Sequence, residues 1–168
     1  LFFCRPAFPI VGPPPRPSLR ENAMAEQDLS KYVATVETRV HSHYRDDVVS
    51  LGTITELFGM AGGKLSYMLD GDAGLIRHFE QFEFLAAVYD GDYLRVTAKL
   101  LAVGNTSRKR LYEAHVVART VNVGPLATSG QLLDPPILAA RAIGITVTPL
   151  DCQWLTPPAL KGKPKAKA

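Results

Sequence analysis

The stretch "LGTITELFGMAGGKLSYML", residues 51–69, decides the fold. Ile54, Leu57 or Phe58, Ala61, Leu65 and Met68 recur at helical spacing. That pattern predicts an amphipathic helix of roughly 18 residues, near the long end for globular proteins. Its middle carries Gly59, Gly62 and Gly63. A glycine inside a helix costs up to about 1 kcal/mol relative to Ala. Three of them point to close backbone approach, most simply a helix pressed onto a sheet. The run "DGDAG", residues 70–74, ends the helix.

Working outward, the flanks alternate like strands. Before the helix, "YVATVETRVH" (32–41) sets Val36, Thr38 and Val40 against Glu37, Arg39 and His41. After it come "LIRHFEQFEFL" (75–85) and "DYLRVTAKLLAV" (92–103), the latter with Leu94, Val96, Ala98 and Leu100 on one face. In "RLYEAHVVARTVNV" (110–123), Tyr112, Ala114, Val116 and Ala118 point inward, and Glu113, His115 and Arg119 outward. An excursion with Gly and Pro, "GPLATSGQLLDPP" (124–136), precedes a last strand in "ILAARAIGITVTPL" (137–150). One long helix followed by consecutive antiparallel strands is an α+β layout. The sheet must wrap the helix, because nothing else can cover either apolar face; this is the hotdog fold. The long edge strand such a sheet leaves invites pairing into a dimer.

Composition narrows the class. The 168 residues suffice for one domain, and 46% hydrophobic with 21% charged residues is the balance of a soluble globular protein. The formal charge of +3 lies largely in the tail "KGKPKAKA" (161–168), which argues against a nucleic-acid partner. The longest apolar runs are too short to cross a membrane. Cys4 and Cys152 form no C-x-x-C pair, which suggests reduced thiols and no structural metal. Residues 1–23 are rich in Pro and Arg and lack a helical period, and the chain reads more naturally from Met24. The expected organisation is a disordered leader over 1–30, a hotdog domain over 31–156 and a basic disordered tail over 157–168.

Several residues could carry chemistry. His41 and His43 form an H-x-H pair without a third metal ligand, although His43, just before the helix, could act as a general acid or base. Glu56, in the first turns of the helix, is favoured there by the helix dipole alone. It becomes catalytic if its side faces a dimer cleft. Glu83, between Phe82 and Phe84, needs a partner or a raised pKa if its side of the strand is covered. Arg108, Lys109 and Arg110 follow a Gly-Asn turn: either a solvated hairpin rim or a grip on a phosphorylated group. There is no Walker loop, no dinucleotide fingerprint and no nucleophile elbow. The residues alone indicate a hotdog-like dimer with an acyl-thioester ligand.

Seven motifs then stand in a recognisable order: "HY" (43–44), "LFG" (57–59), "DGDAGL" (70–75), "FEFLAAVYDGD" (82–92), "VGNTSRK" (103–109), "DPP" (134–136) and "RAIG" (141–144). Over roughly residues 33–148 the chain resembles the hotdog-fold aminoacyl-CoA ammonia-lyases acting on β-alanyl-CoA and 3-aminobutyryl-CoA. The resemblance implies reversible loss of ammonia from a β-aminoacyl-CoA to give an enoyl-CoA. It implies no cofactor beyond the coenzyme A of the substrate, a cytoplasmic setting, and a homodimer that can build a hexamer. His43 and Glu83, which lie within the matched motifs, become acid–base candidates, and Glu56 joins them from its place on the helix rather than from the resemblance. The free N–H groups of Leu51, Gly52 and Thr53 become the candidates for holding the thioester oxygen. Asn105, Ser107, Arg108 and Lys109 would face coenzyme A. The resemblance departs at Arg45, Asp46 and Asp47, where the family tends to carry Gly and Asn, and at Met60 and Lys64, where it carries acids. Three other functions fit the fold: an acyl-CoA thioesterase using Glu56, an enoyl-CoA hydratase or dehydratase, and a binding protein without catalysis.

Overall fold

The computed structural model describes residues 28–42, 45–120 and 130–160. One helix, α1 (Leu51–Asp70), packs on an antiparallel sheet of five strands: β1 (Val33–Arg39), β2 (Leu75–Phe84), β3 (Tyr93–Val103), β4 (Ser107–Thr120) and β5 (Gly130–Val147). Their spatial order is β1-β3-β4-β5-β2, so β1 and β2 are the edges. This is the hotdog architecture read from the alternation.

Helix α1 starts where Ser50, in extended backbone, accepts a hydrogen bond from the Thr53 N–H. It stops at Gly71, whose φ of 79° is left-handed, with its N–H bonded to the Tyr67 carbonyl. Ile54, Leu57, Phe58, Ala61, Leu65 and Leu69 are buried against the sheet. Opposite them, Leu94, Val96, Ala98 and Leu100 of β3 and Tyr112, Ala114 and Val116 of β4 are buried as the alternation requires. Phe58 sits in an aromatic cluster with Phe79, Phe82 and Tyr112, at ring-centroid distances of 5.4–6.4 Å.

The structure corrects four expectations. Met68 is 59% exposed, and Leu69 takes its place in the core. Of the three helix glycines, only Gly62 is pressed onto the sheet: a Cβ there would lie 2.6 Å from the Tyr112 hydroxyl. Gly59 and Gly63 look into open space. Strand β5 begins earlier than the Pro-rich excursion suggested, because Gly130, Gln131 and Leu132 already pair with Thr120, Arg119 and Ala118. Finally, Cys152 is buried and disulfide-bonded, so the expectation of two reduced thiols fails; its partner lies outside the described residues. No described helix is long and apolar enough to cross a membrane.

Candidate active site

The N-terminal end of α1 carries one group of candidates. Ser50 claims the Thr53 N–H at 3.2 Å, so Thr53 is not an open donor. The N–H groups of Leu51 and Gly52 have no acceptor among the described residues, as first-turn amides of a helix do. Both residues are exposed. Glu56 is exposed too, on the side of α1 turned away from the sheet, and engages no described residue. Its carboxylate therefore stands in solvent just over one turn from two open amide donors. Thr55 is occupied, donating to the carbonyls of Leu51 and Gly52.

The approach to this end is built by residues 45–50. Asp46 and Asp47 both have positive φ, 73° and 57°, a conformation that Gly and Asn adopt more readily. The departure of this chain at these two positions thus falls where the backbone is left-handed. Asp90 braces the preceding segment by accepting from the Ser42 N–H at 2.6 Å and approaching His41 Nδ1 at 3.4 Å. The Ser42 hydrogen bond, with His41 nearby, holds the Asp90 carboxyl below its ordinary range. His43 and Tyr44 lie outside the described residues.

Glu83 does not join Glu56 within one chain. It stands opposite Arg141 in the β2–β5 ladder, and Arg141 stands opposite Glu113 in β4. This row faces away from α1. Glu113 accepts from Lys99 at 3.1 Å and from Arg141 at 2.9 Å. Burial raises its pKa, but the two hydrogen-bonded cations outweigh that and hold it below the ordinary value. Phe82 and Phe84 occupy the alternate, helix-facing register, so their flanking of Glu83 does not bury it.

The basic run splits by strand parity. Lys109 is on the outer face, in a half-exposed ion pair with Glu80 at 2.6 Å. Arg108 and Arg110 point inward with Tyr112 and are fully buried. Neither forms a solvated rim, and Arg108 does not face solvent phosphates as expected. Arg108 is anchored to Asp70 at 2.8 Å, with both side chains at 0% exposure, and also donates to the Gly104 and Ser107 carbonyls. Arg110 donates to the Gly62 carbonyl at 2.7 Å and to Ser66 Oγ at 2.8 Å. Burial lowers the Arg110 pKa, opposed by neighbouring Tyr112 and Asp70. Burial likewise raises that of Tyr112. Arg108 and Arg110 share strand parity with Tyr112 and Ala114, but parity alone does not bury a charge; the partners that make it possible are Asp70, Gly62 and Ser66 of α1.

Residues 104–107, the turn of "VGNTSRK", therefore sit over the C-terminal end of α1. Leu51 and Gly52 are at its other end. A 20-residue helix is about 30 Å long. Candidate thioester-holding and coenzyme-holding groups are thus at opposite ends of α1 within one chain.

Comparison with known proteins shows what the whole chain is similar to. The chain is 35% identical over 125 residues to the 3-aminobutyryl-CoA ammonia lyase of Acetoanaerobium sticklandii, spanning 73% of this chain and 98% of that one. Among solved structures, it is similar to β-alanyl-CoA:ammonia lyase from Clostridium propionicum. The TM-score is 0.69 with 27% identity, over 76% of this chain and 92% of that one. It shares its fold with a hexameric thioesterase from Yersinia pestis, at a TM-score of 0.56 and 15% identity, over 76% and 91% of the two chains. No family model matches the chain.

Proposed function

The chain belongs to the hotdog-fold aminoacyl-CoA ammonia-lyase family, and from that premise we propose that it reversibly eliminates ammonia from a β-aminoacyl-CoA of the 3-aminobutyryl or β-alanyl type. The observation that carries this reading is the identity to an ammonia lyase over 98% of that relative's length. The geometry at the start of α1 supports it. Glu56 accepts the α-proton that the thioester carbonyl acidifies, and the Leu51 and Gly52 N–H groups hold the developing enolate oxygen. The Cα–H pair becomes the new C=C bond, and the Cβ–N pair leaves with ammonia. His43 is proposed as the acid that assists the amine. Glu83, on the far side of the sheet, is given no part in the chemistry of its own chain. The reaction needs no cofactor besides the coenzyme A of the substrate.

The working unit is a homodimer at least. Strand β2 is a ten-residue edge with most of its residues exposed. On α1, Met60 and Tyr67 are 52% and 60% exposed, beside glycines that open onto empty space. A second copy covers these surfaces and brings a 104–109 turn toward the other chain's helix start. A cytoplasmic setting rests on the coenzyme A substrate, since the thiol argument falls with the Cys152 disulfide.

The test is to mix the full chain with crotonyl-CoA and ammonium, following enoyl-thioester absorbance and free thiol. Loss of the enoyl signal that requires ammonium, without thiol release, is expected. Glu56→Gln should slow it at least about a hundredfold, the scale of a lost general base. Enoyl loss without ammonium would make the protein a hydratase, and thiol release would make it a thioesterase.

A further inference from the structure

We infer that Gln153, in the segment after β5, is a positioning residue for coenzyme A: it holds the 105–106 peptide so that the Thr106 N–H faces the substrate's phosphates. This rests on the proposed lyase reading and extends it to a residue outside the motifs.

Each of the four carbonyls of the 104–107 turn accepts a hydrogen bond. Gly104 O accepts from Arg108 at 2.9 Å, and Asn105 O accepts from Gln153 Nε2 at 2.7 Å. Thr106 O accepts from the Thr148 N–H at 2.8 Å, and Ser107 O from the Gly104 N–H at 2.8 Å. A trans peptide is planar, with its C=O and N–H pointing in opposite directions. Turning the Asn105 carbonyl inward therefore turns the Thr106 N–H outward. Outward amides of a tight turn are the donors that bind anions.

The grip on this peptide is rigid. Gln153 is 2% exposed and also donates to the Thr148 carbonyl at 2.8 Å. The segment carrying it is tied down separately. The Leu155 N–H bonds to the Asp70 carbonyl, and Thr156 Oγ1 bonds to the Asp70 carboxylate that anchors Arg108. The turn is also underlain by two guanidiniums, Arg108 and Arg110, with the single carboxylate of Asp70 between them and neutrality. Two buried cations against one carboxylate beneath the turn favour an anion at it. Arg108 thus acts on the anion through the turn it supports.

Gln153→Met keeps the approximate length and volume and removes the donor without adding a charge. Compared with wild type, the full-chain variant should show KM for crotonyl-CoA raised about tenfold, the scale of one hydrogen bond, with kcat within about twofold. With crotonyl-pantetheine, which lacks the nucleotide, KM should be unchanged. Leu160→Ala, which removes a buried side chain near the same segment, should lower Tm without splitting the two substrates. Equal KM increases for both substrates, a fall in kcat alone, or no effect would overturn the role of Gln153 while leaving the lyase reading intact. If wild type turns over neither substrate, the lyase reading fails. Calorimetry with coenzyme A then decides the positioning role, which stands if Gln153→Met weakens binding and falls if binding is unchanged or if wild type binds none.

Discussion

Glu113 shows how much one residue's surroundings decide. On the outer face of β4 it is 9% exposed, yet hydrogen bonds from Arg141 and Lys99 keep it ionised. Its folded pKa lies below the ordinary 4.5, so its stabilisation is complete above about pH 4.5 and is lost as pH falls through the folded value. Glu113→Gln should therefore lower Tm at neutral pH, and its deficit against wild type should shrink in acid. A deficit equal at pH ~3 and ~7 would remove Glu113 from the linkage. Strand parity alone made this residue legible as outward-facing. Its two cationic partners, on β3 and β5, were not, because pairing register depends on strand order. Arg108 was misread for a related reason. A charged residue was expected at the surface, and the Asp70 that pays its desolvation cost is 38 residues away in sequence.

Among the elements, α1 was read nearly to its ends, because apolar periodicity and a Gly stop are local signals. What its glycines do is not local. Gly62 exists to admit Tyr112, whose hydroxyl is buried against it beside Arg110. Gly62→Ala should destabilise the protein by about 1–3 kcal/mol through overpacking, measured by denaturant unfolding. Adding Tyr112→Phe should recover much of that loss, since the nearest clashing atom is the hydroxyl oxygen itself. A double variant no more stable than Gly62→Ala would show that the ring, not its hydroxyl, sets the spacing. Strand β5 marks where local reading stopped. Gly and Pro in "SGQLLDPP" signal a loop, but pairing with β4 overrides them at Gly130–Leu132.

For the whole molecule, one chain leaves the outer edge of β2 without a neighbouring strand and its candidate site divided between the two ends of α1. Phe84, on the helix-facing side of this edge, is 49% exposed. Phe84→Asp should be tolerated by an isolated chain and should break the assembly. Light scattering would then report 18.3 kDa in place of a multiple of it, with loss of lyase activity. An unchanged mass would place the contact elsewhere. By itself, the sequence determined the helix, the alternation of the strands, the α+β class and the family, because these follow from short-range periodicity and from motif order along the chain. Only the tertiary structure decided which strands are edges, that Arg108 and Arg110 are interior, and that Gln153 grips the 104–107 turn. Those depend on contacts between residues distant in sequence, whose partners become known only once the sheet has closed over the helix.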